Sequence, residues 1–326
     1  MSNSSIRIVM CAALALAAQH FSLPVLAQAF PARQVRLVLG YAPGGGADVL
    51  ARLIAQKLSD AAGQPAIVEN RPGASALLAL EQVSRAPADG HTLLVMANSS
   101  ILAQALRAKP GHDIERDLTP VSVVAVQPLI LLVHPSVPVQ SVKEFIALAR
   151  AKPGLINYGS SGIGGASHLA GELFNLLADV RLFHVPYKGG GESVVAAAAG
   201  QIQVTFASTT SARSLLDAGR LTAIAVTSLQ RTQLLPSAPS IAESGVPGYD
   251  AVVWYAVMAP AGISGEFGAQ LNMLFNRIAS APEMKEHFAR QGFEPQSGTV
   301  QHLRTLIRKD SEQTLKLIKA ANLKAE

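Results

Sequence analysis

The chain contains very little cysteine, few aromatic residues and no cluster of basic residues. Cys11 is the only cysteine among 326 residues, so no disulfide can form within the chain and no thiolate zinc site can be built. Phe, Trp and Tyr make up 5% of the residues, and the net charge of +5 is not concentrated in a run of Lys or Arg. This composition argues against a nucleic acid partner.

Metal and cofactor motifs are also missing. The sequence contains neither G-x-x-x-x-G-K-[ST] nor G-x-G-x-x-G, which phosphate-binding and dinucleotide-binding loops use. The histidines beyond residue 29 are not paired at the spacing of a zinc site. We therefore expect no metal and no cofactor. Those histidines are His91, His112, His134, His168, His184, His287 and His302.

The first 29 residues have the pattern of a secretory signal peptide. Arg7 supplies a positive charge, a long apolar run follows, and the segment ends on Ala27-Gln28-Ala29, which suits signal peptidase. We expect cleavage after Ala27 or Ala29, with a retained membrane anchor as the alternative. The remaining chain of about 300 residues is long enough for one large or two medium domains.

Three consecutive glycines separate an apolar run from an amphipathic segment in Val35–Asp48, VRLVLGYAPGGGAD. The apolar run predicts a buried strand, and the spacing of apolar residues over Asp48–Ala62 predicts a helix with Asp48 as its N-cap. Gly44, Gly45 and Gly46 leave the backbone bare where the N–H groups of the helix are free, which is typical of an anion site. A tight turn without a ligand is the alternative.

Strand-like and helix-like segments alternate along the chain, a pattern that favours βαβ units and a parallel sheet formed twice. The predicted strands are Val35–Leu39, Ala66–Glu69, Thr92–Ala97, Val121–Val126, Leu129–Val133, Ile156–Gly159, Leu182–Val185, Ile202–Ala207, Leu221–Thr227 and Val252–Ala259. The predicted helices are Asp48–Ala62, Ser75–Arg85, Val142–Ala151, Ser167–Ala178, Glu192–Ala199 and Ser211–Ala218, followed by three within Gly265–Ser280, Glu283–Arg290 and Thr299–Asn322.

The helical C-terminal part is expected to return to the first domain, so that the chain crosses between domains twice. The crossings are predicted near Ala125–Pro128 and Gly248–Val252. This gives one lobe of residues 30–126 plus 251–326 and a second lobe of residues 127–250, after a signal peptide of residues 1–29.

Four loops that follow predicted strands are rich in Gly, Ser, Thr and Asn and contain neither Lys nor Arg: Gly40–Ala47, Asn98–Ser100, Tyr158–His168 and Ser208–Ser211. Ligands of such sheets collect at the carboxyl ends of the strands. Backbone N–H groups, hydroxyls and helix dipoles could hold a carboxylate there without an arginine. Asn98 and Ser208 are candidate ligand residues on this argument.

Several of these stretches carry a resemblance to a known family. FPARQVRLVLGYAPGGGADVLAR (Phe30–Arg52), NYGSSGIGGASHLAGELF (Asn157–Phe174), HVPYKGGG (His184–Gly191) and WYAVMAPAG (Trp254–Gly262) occur in this order. The chain resembles the solute receptors of tripartite tricarboxylate transporters, the Bug family of periplasmic binding proteins, over nearly all of the sequence that follows the predicted signal peptide.

The resemblance implies an α/β fold of the two-lobed periplasmic-binding-protein type (a type II clamshell). Each lobe would be a mostly parallel sheet flanked by helices, and two crossover segments would form a hinge. The family's function is to close on a small carboxylate in the periplasm and present it to membrane permease subunits. A monomer is the expected state, and no enzyme activity is expected.

Carried over residue by residue, the family's ligand site comprises Tyr41, Ala42, Gly44, Gly45 and Asp48 in the first lobe and Ser160, Ser161, Gly164 and His168 in the second. Each polar member has a structural alternative: Asp48 as a helix cap, the two serines in turn hydrogen bonds, and His168 in packing. Lys188 is a possible anion partner or a solvated loop lysine.

The chain also departs from the family, which commonly has Asp at the positions of Gln203 and Ala207. Without those carboxylates the cleft would lack a partner for an ammonium group. We therefore expect the ligand to be a carboxylate without a free amine.

Two other functions are compatible with parts of the sequence. A receptor of the same fold that feeds a sensor kinase is the main alternative. A hydrolase that uses the Gly159–Gly162 loop is a remote one, because that loop is not G-x-S-x-G.

Overall fold

The computed structural model describes residues 30–44, 46–73, 76–107 and 111–321. The predicted signal peptide (residues 1–29) and Gly45 therefore lie outside the described residues. The described strands are β1 (Val35–Leu39), β2 (Ala66–Asn70), β3 (Thr92–Ala97), β4 (Leu118–Val133), β5 (Asn157–Ser160), β6 (Phe183–Pro186), β7 (Val204–Ser208), β8 (Thr222–Val226), β9 (Val252–Pro260) and β10 (Glu294–Pro295).

Helices cover the sheet on both sides, as the alternation of segments predicts. The described helices are α1 (Gly46–Ala62), α2 (Leu77–Ser84), α3 (Ser99–Ala105), α4 (Ile114–Asp117), α5 (Val142–Ala151), α6 (Ala166–Ala178), α7 (Gly190–Ala198), α8 (Thr209–Asp217), α9 (Gly265–Ser280), α10 (Pro282–Arg290) and α11 (Val300–Ala321). The sequence did not predict α3, α4 or β10, which are short. None of the helices described is both long and apolar enough to cross a membrane.

The strands follow the order β2-β1-β3-β9-β4-β7-β5-β6, and β8 and β10 pair with β4 in addition. β2, β1 and β3 are parallel, and so are β7, β5 and β6. β9 and β4 run antiparallel to the strands beside them. The two outer groups of three strands are thus parallel, as expected, and the antiparallel pairings lie in the centre, where β4 and β9 run against their neighbours.

β4 is one continuous strand of 16 residues, where the sequence predicted two strands separated at Pro128. Its residues up to Pro128 pair with β9, and its residues from Leu129 pair with β7 and β8. Proline cannot donate to a strand ladder. Pro128 does not interrupt the strand, because it lies where β4 changes from pairing with β9 to pairing with β7 and β8. Pro120 lies at a register shift of the β4–β9 ladder.

β9 presents its side chains alternately to two faces of the sheet, as any strand does. Val253 and Tyr255 point into the large cleft between the two groups of strands, whereas Val252 and Trp254 line a small cavity on the reverse side. Helix α11 covers that reverse side and packs against both α3 and α6. The centre of the sheet is therefore buried on one face and borders a cleft on the other.

Candidate functional site

A cleft of about 830 Å³ opens at the carboxyl ends of the parallel strands. Loops after β1, β5, β6 and β7 form its walls, and the central strands β4 and β9 form its floor. This is where ligands bind in open α/β sheets. The apolar part of the lining consists mainly of Val49, Ile163, Leu129, Phe206 and Val253.

The N-termini of five helices meet at this cleft. α1, α3, α6, α7 and α8 each contribute residues of their first turn to its lining, among them Gly46, Ser99, Ala166, Gly190 and Thr210. The first N–H groups of a helix have no partner within it, and the helix dipole is positive at that end. The described lining includes no Asp or Glu, and Lys188 is its one charged residue. The cleft is thus electropositive and suited to an anion.

The loop after β1 brings Tyr41, Ala42 and Gly44 to the cleft. Gly44 adopts φ +83°, a left-handed conformation that costs other residues about 1–2 kcal/mol. The Tyr41 hydroxyl lies 3.1 Å from Ser99 Oγ, and the Tyr41 carbonyl accepts a hydrogen bond from Asn70 Nδ2 at 3.0 Å. The backbone of this loop is therefore held by Asn70 from outside the cleft, and the Tyr41 hydroxyl contacts Ser99, which lines the cleft as well.

Asp48 is buried behind this loop and does not line the cleft. The helix begins two residues before it, so Asp48 is not the N-cap that the sequence predicted. Its Oδ2 accepts from Gly44 N at 3.0 Å and Arg52 Nε at 2.9 Å, and its Oδ1 accepts from Asn70 Nδ2 at 2.9 Å. Burial acts to raise the pKa of Asp48, but the three hydrogen bonds and the Arg52 charge outweigh it and lower that pKa.

The loop after β5 places Ser161 and Gly164 at the cleft, whereas Ser160 and His168 lie beneath it. Ser160 Oγ accepts from Gly162 N at 3.1 Å and lies 2.6 Å from His184 Nε2. His168 Nδ1 accepts from Gly164 N at 3.2 Å. These two predicted ligand residues thus hold the glycine loop from behind.

His168 and His184 stack on each other with ring centroids 4.1 Å apart. Burial lowers the pKa of each to about 4, and the neighbouring His184 ring adds to the effect on His168. Both rings are therefore neutral at pH 7, and His168 accepts through Nδ1. We did not name His184 as a site residue, although it stands in the family stretch His184–Gly191.

Asn98 follows β3 and Ser208 ends β7, and the two side chains face different sides of the molecule. The Asn98 side chain donates to Val252 O at 3.0 Å and to Asp310 Oδ2 at 3.1 Å, on the reverse side of β9 and away from the cleft. Ser208 lines the cleft and caps α8, where its Oγ accepts from Ser211 N. Of the sequence-predicted residues, the structure brings together Tyr41, Ala42, Gly44, Ser161, Gly164 and Ser208 at the cleft.

Gln127 and Tyr255 form part of the cleft floor, and we did not predict either. The Tyr255 hydroxyl donates to Gln127 Oε1 at 3.1 Å, and both side chains are otherwise buried. Gln127 lies in the segment where the sequence places the first crossing, so its position was the available signal. Gln127 is a polar residue between apolar neighbours in the sequence, and such a residue in this segment indicates a contact with the cleft.

The two departures from the family occupy different environments. Ala207 lines the cleft, whereas Gln203 Oε1 accepts from Asn157 N at 2.9 Å next to β5 and takes no part in the lining. Only Ala207 therefore bears on the charge of the cleft.

The fold and the cleft define a two-lobed solute-binding protein, and comparisons with known proteins give its family. The model of the tripartite tricarboxylate transporter family receptor matches residues 50–323, so the chain belongs to that family. BugT of Bordetella pertussis is 34% identical over 294 residues, which cover 90% of each chain. Family members are periplasmic receptors.

Two solved structures show the same fold with a ligand. An R. palustris protein solved with adipate is 35% identical, with a TM-score of 0.79 over 90% of this chain and 98% of that one. MatC of Rhodopseudomonas palustris, solved with malate, is 28% identical, with a TM-score of 0.76 over 89% of this chain and 100% of that one. These relatives are binding proteins. The two-lobed fold and the family predicted from the sequence are therefore confirmed.

Proposed function

We propose that this protein captures a small carboxylate without a free ammonium group and delivers it to the permease of a tripartite transporter. The observation that carries the proposal is the cleft itself, where five helix N-termini converge and the described lining has no Asp or Glu. An α-amino group would have no carboxylate partner in that lining, and burying an unpaired ammonium is costly. The adipate and malate in the two similar structures are carboxylates of this kind.

Closure would bring residues 30–126 plus 251–326 onto residues 127–250, with the crossing strands β4 and β9 as the hinge. Both sides of this division contribute to the lining: Tyr41, Ala42 and Gly44 on one, Ser161, Gly164 and Ser208 on the other. A ligand that contacts both lobes stabilises the closed state because it binds that state more tightly. We further propose removal of residues 1–29 on export to the periplasm, a monomeric state and no catalytic activity.

A thermal-shift screen of the purified protein tests this function. The panel contains aliphatic dicarboxylates and tricarboxylates, aromatic acids, amino acids and the amide of each acid. A ligand at 100 times its Kd adds about 2.7 kcal/mol to the free energy of unfolding, which corresponds to a rise in Tm of about 4 °C for a chain of this size.

A selective rise with one class of carboxylate, absent with its amide, would support the proposal. Tighter binding of aspartate or glutamate than of succinate or malate would contradict the exclusion of amines. No shift with any acid, including after unfolding and refolding to remove a co-purified ligand, would contradict solute capture. Co-purification with membrane permease subunits tests the delivery step.

A further inference from the structure

Lys188 is the one charged residue among the described residues that line the cleft. It precedes α7, in the loop after β6, and is an exposed residue of the cleft lining. The other polar groups of the lining are hydroxyls, amides and backbone N–H groups. A positive charge at this position favours a ligand with an anionic group nearby over one without, and solvent screening keeps the preference modest.

The charge of Lys188 is not neutralised by the protein. Over the described ranges, no carboxylate oxygen lies within 4.0 Å of its Nζ. The adjacent acid, Glu192, accepts a hydrogen bond from the backbone N of Lys188 at 3.2 Å and so serves the first turn of α7. The ammonium group is therefore free to pair with an anion that enters the cleft.

The backbone beside Lys188 leaves room for that anion. Gly189, Gly190 and Gly191 all line the cleft, and a Cβ added at any of them would meet nothing within 4 Å. None of the three has a positive φ. Neither packing nor backbone conformation requires glycine here, and this open space lies next to the free ammonium group.

We infer that Lys188 is the specificity-determining residue that selects ligands with a second carboxylate. This inference rests on the proposed capture of a carboxylate. One carboxylate is held by the neutral groups of the loops after β1 and β5, and the second pairs with Lys188. Monocarboxylates lack a partner for Lys188 and bind more weakly, because they leave its charge in the cleft without compensation.

The test compares acids that have the same number of carbons and one or two carboxylates. Kd is measured by isothermal titration calorimetry for succinate against butyrate, adipate against hexanoate, and suberate against octanoate. The variants are K188Q, which removes the charge, and K188R, which keeps it. The control is K152Q, because Lys152 is exposed, belongs to the same lobe and does not line the cleft.

We expect the wild type and K152Q to prefer the diacid of the best-bound pair. K188Q should weaken the binding of that diacid about tenfold while the Kd of the monoacid changes by less than twofold, and K188R should retain the preference. A tenfold change corresponds to about 1.4 kcal/mol. Equal Tm values for the variants would show that the folds are intact.

Two results would overturn the inference. If K188Q weakens the binding of both acids of a pair equally, or of neither acid, Lys188 does not bind the second carboxylate. If the wild type prefers the monoacid, the second carboxylate is not recognised at all. If the wild type binds no acid of any pair, nor any other carboxylate, the proposed function itself fails and this inference with it, an outcome distinct from the other two.

Discussion

Replacing Asp48 by Asn separates a positioning role from direct ligand contact. Asn keeps the shape of the side chain but has one acceptor oxygen and two N–H donors. If its oxygen stays with Asn70, its amide nitrogen faces Gly44 N and Arg52 Nε, which are donors themselves. The structure therefore predicts a loss of stability in D48N that does not depend on ligand.

The magnitude follows from the partners of each oxygen. An unsatisfied buried donor such as Gly44 N costs about 1–3 kcal/mol. The pair with Arg52 adds little, because the Arg52 side chain is 55% exposed and solvent screens exposed pairs. We expect D48N to lower the free energy of unfolding by about 1–3 kcal/mol at pH 7.

The pH dependence gives a second signature. The native pKa of Asp48 is lowered relative to the unfolded chain, so its contribution to stability is complete above about pH 4 and is lost as the pH falls further, through the native pKa. Asn does not titrate at this position. The difference between the wild type and D48N should therefore be constant from pH 7 to 5 and shrink below pH 4.

Urea unfolding at several pH values measures both effects. D60N is the matched control, since Asp60 is exposed on the same helix and accepts only from Gln56 among the described residues. The reasoning is refuted if D48N is within 0.5 kcal/mol of D60N at pH 7. It is also refuted if D48N abolishes carboxylate binding with stability unchanged, because Asp48 would then act on the ligand directly.

Four further outcomes follow from the cleft. G190A should keep the Tm of the wild type, since open space surrounds Gly190, yet weaken carboxylate binding in calorimetry; equal affinity would contradict the need for bare backbone there. G44A should lower the free energy of unfolding by about 1–2 kcal/mol in urea, because Gly44 has a positive φ. The pKa of His168 is lowered to about 4 from 6.5, so wild-type stability should fall as the pH drops from about 6.5 towards 4; H168L should show a smaller slope, and an unchanged slope would refute the role of His168. Trp254 is the single tryptophan, and its fluorescence emission should change on carboxylate binding although it faces away from the cleft, because closure moves β9. The midpoint of the fluorescence titration should match the calorimetric Kd. Constant emission at a saturating ligand concentration would argue against movement of β9.

Local patterns in the sequence were sufficient for most elements and for the position of the cleft. β1 and β3 end where their apolar runs end, and α5 and α9 have the predicted bounds. The sequence did not predict α3, because Ser99 and Ser100 suggest a loop. The buried residues Ile101 and Leu102 pack this helix, but two apolar residues are too few to show a helical period.

The sequence did not predict which way each polar side chain points. Asp48 and His168 are ionisable residues in the first turns of α1 and α6, yet both accept hydrogen bonds from loop backbone and lie behind the lining. Asn98 follows a strand, as a ligand residue should, but faces the reverse side of β9. Such orientations depend on partners distant in sequence, such as Asp310 for Asn98.

The sequence by itself determined the α/β alternation, the glycine-rich loops and the family, because apolar periodicity and loop composition are local properties. The tertiary structure decided that β4 continues through Pro128, that five helix N-termini meet, and that Lys188 is the one charge in the described lining. These features depend on which strands become neighbours in the sheet. Strand order arises from contacts between segments far apart in the chain, and no local pattern records it.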